Sequence, residues 1–325
     1  MKLAISLTLL TAALALASLM LGYAPLPPRA VLGGLMGAGD PLHVMVMQEI
    51  RLPRTALAVL VGAALGLSGA AMQGYLRNPL AEPGLIGVSG SAALGAVIAL
   101  QTGLAAAFAL ALPLTALLFA LGAVGLILLL AGPRGGSLTL ILAGIAVSAL
   151  AGALTSLALN LSSNPYATFE IVFWMMGSLA DRSLSHLALA APLIALGGAT
   201  LLTLGHGLDA LTLGEDGAQA LGISMTSLRL RLLFGTAAAV GAATAVAGAV
   251  GFVGLVVPHL LRPLCGARPS RLLWASALGG AAMLLTADIA VRLVLPERDL
   301  KLGVVMALIG APLFLHLIYK TRRAG

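Results

Sequence analysis

The sequence predicts an all-α integral membrane protein with about ten transmembrane helices. Of its 325 residues, 60% are hydrophobic and 9% are charged, with a mean hydropathy of +1.08, whereas about 25% of the residues in a soluble domain are charged. The apolar residues form runs of helix length that do not alternate with polar ones, so helices rather than a closed barrel satisfy the backbone in hydrocarbon. The 40 glycines suit close helix packing in a membrane.

Ten segments are predicted as spans, since a spanning helix needs roughly 20 mostly apolar residues. They are residues 3–21, 55–76, 88–100, 104–131, 138–159, 187–204, 228–250, 252–265, 272–295 and 302–319. Segments 88–100 and 252–265 are short and begin close to Gly or Pro, which is typical of partial or re-entrant helices buried among others. Residues 1–325 are therefore interpreted as a single transmembrane domain.

The first span has a second interpretation. Lys2, the apolar run after it and Ala15-Leu16-Ala17 also fit a secretory signal with its cleavage site. The apolar run continues past Ala17 to Leu21, which favours a retained helix over a cleaved one. A retained helix makes the number of spans even, so both termini are expected on the same side of the membrane.

Basic residues in the short loops set the expected orientation, because Lys and Arg concentrate on the cytoplasmic side. With the amino terminus inside, eleven fall on the cytoplasmic side: Lys2, Arg77, Arg134, Arg229, Arg231, Arg262, Arg268, Arg271, Lys320, Arg322 and Arg323. Seven fall on or near the other side: Arg29, Arg51, Arg54, Arg182, Arg292, Arg298 and Lys301. This excess predicts cytoplasmic termini. The excess also accounts for most of the net charge of +7, so this charge does not indicate nucleic-acid binding. Grooves that bind nucleic acid also use aromatic residues, which make up only 4% of this chain.

Residues for enzyme or metal chemistry are scarce. The single cysteine, Cys265, has no intrachain partner, and no Cys or His pair has metal-ligand spacing. The only lysines, Lys2, Lys301 and Lys320, do not follow a glycine in the pattern of a phosphate-binding loop. We therefore predict no metal site, no catalytic residue and no bound cofactor, and if ATP is used, another chain binds it.

Small residues recur at every fourth position in two of the spans. They are Gly62, Gly66, Ala70 and Gly74 in one, and Gly241, Ala245 and Ala249 in the other. Such faces let helix backbones approach closely, so they predict tight helix packing, with a pore-lining surface as the alternative.

Two connecting segments are more particular than a simple loop. Residues 77–89 contain Pro79, Pro83 and several glycines, which predict a shaped turn at the cytoplasmic end of a span. Residues 209–222 are too polar to cross a membrane and are predicted to form two short amphipathic pieces hinged at Gly214. They form either a ridge that lies on the membrane surface and contacts a partner, or a solvated loop.

Asp288 is the clearest charged residue inside an apolar span, and such residues are functional candidates. Arg292 follows one helical turn later. A structural ion pair between them is therefore favoured over a proton relay.

Four blocks together resemble the FecCD permeases, the membrane subunits of importers for vitamin B12, ferric siderophores and haem. The blocks are Arg51-Leu52-Pro53-Arg54 with residues 67–73 and 78–84, then residues 214–222, 251–259 and 303–312. They lie in both halves of the chain and in the family's order, so the resemblance is specific.

The resemblance implies the type II ABC importer permease fold, with the ATPase activity in another chain. It implies a homodimer in the lipid bilayer of the bacterial cytoplasmic (inner) membrane. It further implies two ATP-binding subunits that use ATP and Mg, and a periplasmic substrate-binding protein.

The resemblance also assigns roles to residues. Docking of the binding protein is expected at Arg51, Arg54 and Arg292, although Asp288 competes for Arg292 and snorkelling to the head groups is the alternative role. ATPase coupling is expected at Gly214, Glu215, Asp216, Gly217, Ala218, Leu221 and Gly222. The cytoplasmic gate is expected near Asn78, Leu80 and Ser137.

The expected cargo is a metal chelate, with a ferric siderophore or a corrinoid favoured over haem. Haem permeases tend to have an arginine just before a Trp-containing stretch, whereas residues 166–179 here contain Glu170 and no arginine. An ion-coupled secondary transporter is a less favoured alternative, because it would need coupling carboxylates and Asp288 is the only candidate. A purely structural scaffold would leave residues 209–222 without a purpose.

Overall fold

The computed structural model of the protein describes residues 2–22, 25–108, 110–132, 136–162, 164–294 and 300–324. These residues form sixteen α-helices, one π-helical turn and two short 3-10 helices. The α-helices are α1 (Lys2–Met20), α2 (Pro28–Leu35), α3 (Pro41–Met45), α4 (Leu52–Tyr75), α5 (Val88–Gln101), α6 (Leu104–Ala107), α7 (Ala111–Ala131), α8 (Ser137–Asn160), α9 (Pro165–Met175), α10 (Leu184–Leu202), α11 (Gly205–Leu211), α12 (Glu215–Ala220), α13 (Met225–Ala247), α14 (Val253–Leu261), α15 (Pro269–Val294) and α16 (Leu302–Ala324). The π-helical turn is Val46–Arg51, and the 3-10 helices are Pro83–Ile86 and Pro263–Cys265.

The all-helical fold with about ten spans is confirmed. Seven helical segments in the described part of the chain are long and apolar enough to cross a membrane: α1, the continuous segment Pro41–Tyr75, α7, α8, α10, α13 and α15. The segments predicted to be short are short, with 14 residues in α5 and nine in α14. The last predicted span is α16, which continues beyond residue 319, and the end of the ninth prediction at Leu295 lies outside the described residues.

The prediction of one continuous helix over residues 104–131 is wrong. Helix α6 ends at Ala107, Phe108 is extended, and α7 begins at Ala111. Pro113 lies in the first turn of α7, where its missing N–H has no helical partner to lose. In the interior of a longer helix its ring would clash with the carbonyl four residues earlier.

Three short helices, α2, α3 and α9, were missed from the sequence. Each begins with a proline, Pro28, Pro41 or Pro165, in the first helical position. A proline suits that position because its fixed φ matches the helix, but in a sequence it also indicates a break.

Helices α4 and α15 cross in the centre of the bundle with their backbones close together. A Cβ atom on Gly62 would overlap the backbone of Gly280, and one on Gly66 would overlap the carbonyl of Ser276. Gly241 of α13 similarly lies against Ala120 of α7, whose Cβ would be 2.9 Å from a Cβ at residue 241. The close-packing interpretation is therefore confirmed for these glycines, since a larger side chain has no space.

The antiparallel pair α4 and α15 defines two ends of the bundle. At one end, here called the arginine end, the start of α4 lies beside the last turns of α15 and α1, where Arg54 contacts Asp288 and Arg292 contacts Ser18. At the other, called the Asp209 end, the first residues of α15 contact α11.

Candidate functional site

The carboxylate of Asp288 is the centre of the arginine end. The predicted pair with Arg292 is confirmed, with 3.1 Å between Arg292 Nη2 and Asp288 Oδ2. Arg54 of α4 is a second partner: its Nε donates to both carboxylate oxygens at 2.9 and 3.2 Å, and its Nη2 lies 2.9 Å from Oδ1. The sequence did not predict this contact, because 234 residues separate the two side chains.

Arg292 and Arg51 also cap the end of α1. Arg292 Nη1 donates to the carbonyls of Ser18 and Leu21 at 2.9 and 2.8 Å, and its Nη2 donates to the Ser18 hydroxyl at 2.6 Å. Arg51 Nη1 donates to the carbonyls of Leu19 and Met20 at 2.8 and 3.0 Å. The last carbonyls of a helix have no helical donor and concentrate negative charge, so both guanidinium groups satisfy them.

The structure thus brings the three arginines expected at the docking site into one cluster and directs them inward. Arg51 and Arg292 are each 4% exposed, and the side chain of Arg54 is 12% exposed. Each of the three guanidinium groups bonds to groups inside the protein, so these arginines neither extend to the lipid head groups nor remain free of partners. Docking by these residues stays a prediction.

The segment 209–222 lies at the Asp209 end and has the predicted two-part form. Helix α11 ends at Leu211, α12 begins at Glu215, and Gly214 between them has φ +97° and ψ 167°, a backbone conformation that favours glycine. Helix α11 begins at Gly205, earlier than the sequence analysis placed it. The hinge is therefore confirmed, whereas a coupling role remains a prediction.

This segment combines a fixed base with an exposed outer face. The carboxylate of Asp209 accepts from the backbone N–H of Ser270 at 2.8 Å and from its hydroxyl at 2.6 Å, and Arg268 Nε lies 3.6 Å away. Ala218 on the inner face of α12 is fully buried, whereas Leu213 and Leu221 are 70% and 62% exposed. Glu215 and Asp216 form the first turn of α12, where negative charge favours the helix dipole.

The loop after α4 brings two residues of the expected gate near this segment. Asn78 Oδ1 accepts from the backbone N–H of Leu80 at 2.9 Å, which forms a tight turn with Leu80 41% exposed. The guanidinium of Arg77 lies 4.0 Å from where a Cβ would stand on Gly214. Helix α8 begins at Ser137, but the Ser137 side chain lies outside the described part of the structure.

A polar connection inside the bundle joins α4 to α14. Gln73 Nε2 donates to the carbonyl of Leu255 at 3.2 Å, while Gln73 Oε1 accepts from Arg262 Nη2 at 2.8 Å. Nearby, Glu82 Oε1 accepts from the backbone N–H of Phe252 at 2.9 Å. Gln73, Glu82 and Phe252 lie in blocks that resemble the family, but the sequence did not predict these contacts.

Glu170 lies on the missed helix α9 and borders a cavity of about 420 Å³ with Trp174, Arg182 and Lys301. Lys301 Nζ lies 5.0 Å from the centre of the Phe173 ring, a cation–π contact. Burial lowers the pKa of Arg182 below its ordinary value, and neighbouring Asp181 partly opposes that effect. Acidic and basic side chains therefore both line this cavity: Glu170 and Asp181 on one hand, Arg182 and Lys301 on the other.

Comparisons with known proteins agree over almost the whole chain. Residues 9–320 match the FecCD transport family. The Fe(3+) dicitrate transport system permease protein FecD of Escherichia coli is 39% identical over 98% of this chain and 99% of its own. The vitamin B12 import system permease protein BtuC of Salmonella paratyphi A is 39% identical over 98% and 95%, and the hemin transport system permease protein HmuU of Yersinia pestis is 41% identical over 84% and 83%.

A solved structure gives the same result at the level of the fold. It is described as an inward-facing conformation of a metal-chelate type ABC transporter, and it superposes with a TM-score of 0.88 at 37% sequence identity, over 98% of this chain and 99% of that one. The part of the chain that the structure describes has seven helical segments able to cross a membrane and the two-part element at 209–222. With a family match from residue 9 to residue 320, this chain belongs to the FecCD transport family.

Proposed function

We propose that this chain is the permease subunit of a binding-protein-dependent ABC importer that moves a metal chelate into the cytoplasm. The observation that supports this most is the full-length similarity to permeases named for ferric dicitrate, hemin and vitamin B12. A ferric siderophore or a corrinoid is favoured over haem, because α9 carries Glu170 before Trp174 and no arginine.

The chain is proposed to act as a homodimer with two ATP-binding subunits, which bind ATP and Mg, while this chain binds no cofactor. The segment 209–222 suits contact with such a subunit: Leu213 and Leu221 offer exposed apolar groups, Glu215 and Asp216 add charge, and Asp209 fixes the base to α15. A displacement of α12 would therefore be transmitted through Asp209 to α15, which packs against α4 in the centre of the bundle.

Both termini are proposed to lie in the cytoplasm of a bacterium, with the chain spanning the inner membrane. This places the Asp209 end inside, together with the gate residues Asn78, Leu80 and Ser137. The larger number of Lys and Arg residues in the loops on that side supports the orientation. The arginine end then faces the periplasm and the substrate-binding protein.

Docking of that binding protein is proposed at Arg51, Arg54 and Arg292, where guanidinium groups could hold carboxylates in a bidentate manner. Arg54 is the most accessible of the three, and Asp288 already holds it. A carboxylate of the partner would therefore have to share or replace Asp288.

The docking test compares the Arg51→Glu/Arg54→Glu double variant with an Arg29→Glu control in binding to the purified binding protein at low and high salt. Arg29 is exposed in the first turn of α2 and has no assigned role. Loss of the salt-sensitive binding in the double variant alone, with the folded fraction checked by size-exclusion chromatography, supports docking. Equal affinity and salt dependence in all three proteins contradict it.

The cargo is tested in proteoliposomes that contain the permease, its ATPase and its binding protein. Ferric dicitrate, cyanocobalamin and hemin are supplied in turn, together with unchelated ferric iron. We expect ATP-dependent uptake of ferric dicitrate or cyanocobalamin and none of the free ion, because a bare ion would need a chain of oxygen, nitrogen or sulfur ligands to leave water. Uptake of free iron contradicts the proposal.

An ion-coupled secondary transporter is the second candidate, and it predicts uptake without the ATPase. Asp288 would be its coupling carboxylate, but two arginines already hold this side chain. Omitting the ATPase from the proteoliposomes separates the two mechanisms: uptake that persists under an ion gradient would favour the secondary transporter.

A further inference from the structure

Glu82 and Phe252 form a contact that none of the proposed roles explains. Glu82 lies in the loop after α4, and its Oε1 accepts from the backbone N–H of Phe252, 170 residues later, at 2.9 Å. Phe252 directly precedes α14, so the carboxylate satisfies one of the N–H groups that a helix start leaves without a partner.

The backbone of Phe252 has φ +67° and ψ −24°, a left-handed conformation that a bulky residue rarely adopts. A glycine would adopt this conformation without strain, so a phenylalanine at this position suggests that its ring makes a functional contact. The ring lies against Gly310 of α16, and a Cβ on Gly310 would overlap the Cβ and Cγ atoms of Phe252. Phe252 therefore contacts the Glu82 loop through its backbone and α16 through its side chain.

The same loop fits the start of α14 at a second point. A Cβ on Gly254 would lie 2.8 Å from the Pro83 ring and 3.0 Å from the carbonyl of Leu65 in α4. Residues 82 and 83 thus hold the first turn of α14 from one side, and the Asn78–Leu80 turn lies immediately before them in the chain.

Burial of a carboxylate at residue 82 costs free energy. Within the described residues Glu82 forms no ion pair, and burial raises its pKa above the ordinary value while the Phe252 N–H partly opposes that effect. Gln would supply an acceptor oxygen at the same reach without the cost of a buried charge. A buried charged side chain at a position where a neutral one would make the same hydrogen bond at a lower free-energy cost suggests a function.

We propose that Glu82 and Phe252 are positioning residues for transport, which hold the Asn78–Leu80 loop against α14 and couple its position to that of α16. This inference rests on the proposed import function. The proposed role requires two groups, the acceptor oxygen of the side chain at residue 82 and the aromatic ring at residue 252.

The test measures chelate taken up per ATP hydrolysed in proteoliposomes, with ferric dicitrate, cyanocobalamin and hemin supplied in turn. Glu82→Ala should lower this ratio by roughly tenfold, the loss expected when a hydrogen bond to a charged acceptor is removed. Glu82→Gln retains an acceptor oxygen and should restore most of the ratio. Glu49→Ala removes an exposed acid at the arginine end and is the matched control, expected to equal the wild type.

A double-mutant cycle tests whether the two residues act together. Phe252→Gly removes the ring and relieves the backbone, so it should lower the ratio while leaving the fold intact. The double variant Glu82→Ala/Phe252→Gly should be no worse than the more damaging single variant, because residues of one linkage are not additive. Additive losses, a wild-type ratio in Glu82→Ala, or a glutamine variant as poor as alanine would each overturn the proposal.

Hydrogen exchange of the purified chain provides a measurement that needs no substrate. Amides of residues 77–87 and 252–255 should exchange faster in Glu82→Ala than in the wild type and Glu82→Gln, and unchanged exchange overturns the linkage. If the alanine variant is not recovered folded, Glu82→Asp replaces it, since its shorter side chain cannot reach the Phe252 N–H. Absence of ATP-dependent uptake by the wild type would contradict the import function, whereas the exchange result would still decide the linkage.

Discussion

Each end of the bundle holds an aspartate that joins two distant parts of the chain, but water reaches only one of them. The side chain of Asp288 is 1% exposed and lies between Arg54 and Arg292, which are 12% and 3% exposed. Asp209 is 24% exposed, and its ionic partner Arg268 is 60% exposed. Loss of the aspartate charge is therefore expected to cost more at the arginine end than at the Asp209 end, because a buried charge left without its partner costs more free energy than an exposed one.

The largest expected effect is at Asp288. Asp288→Asn leaves two buried guanidinium groups without their counter-ion and should lower the free energy of unfolding by about 3–5 kcal/mol. The thermal midpoint of the purified protein in detergent, followed by size-exclusion chromatography, measures this. Glu49→Gln removes an exposed acid at the same end and serves as the control; equal midpoints for the two variants would show that the Asp288 cluster is not structural.

The next effect is expected at the hinge of the 209–222 segment. Gly214→Val places a β-branched residue at φ +97°, which costs about 1–3 kcal/mol in local strain. Since the segment is at the surface, the variant should remain folded but hydrolyse ATP without matching transport. Assays of both rates in proteoliposomes decide this, and unchanged coupling would make the segment an ordinary loop.

A smaller effect is expected at Asp209. Asp209→Asn keeps an acceptor oxygen for the Ser270 N–H, and its amide NH2 can donate to the Ser270 hydroxyl in place of the lost acceptor. The main loss is the exposed ion pair with Arg268, so stability should fall by about 0–1 kcal/mol. The thermal midpoint is compared directly with that of Asp288→Asn under the same conditions. A loss as large as that at Asp288 would remove the distinction between the two ends.

The smallest effect is a dependence on pH at Glu82. Its pKa is raised by burial, so the folded protein binds this proton more tightly than the unfolded chain does. The stability contribution is therefore present at low pH and is lost as pH rises through the raised pKa. The midpoint of the wild type relative to Glu82→Gln should rise as the pH is lowered towards 4.5, the ordinary pKa of a glutamate, and a constant difference would contradict this.

The sequence alone determined the class of the protein and most of its spans. Apolar runs report directly on burial in lipid, because the cost of exposing a polar backbone in hydrocarbon leaves a helix as the only local solution. The sequence also predicted the ion pair of Asp288 and Arg292, since one helical turn fixes their separation. The hinge at Gly214 followed from the conformational freedom of glycine.

Only the tertiary structure decided which distant residues meet. Arg54 reaches Asp288 across 234 residues, and Glu82 reaches Phe252 across 170. Neither contact has a periodic signal in the chain. The first depends on the close approach of α4 and α15 at Gly62 and Gly66, and the second on the close approach of α14 at Gly254 to Pro83 and α4. The packing also turned the arginines inward, a result that charge counting could not give, since burial is a property of the assembled bundle and not of the local sequence.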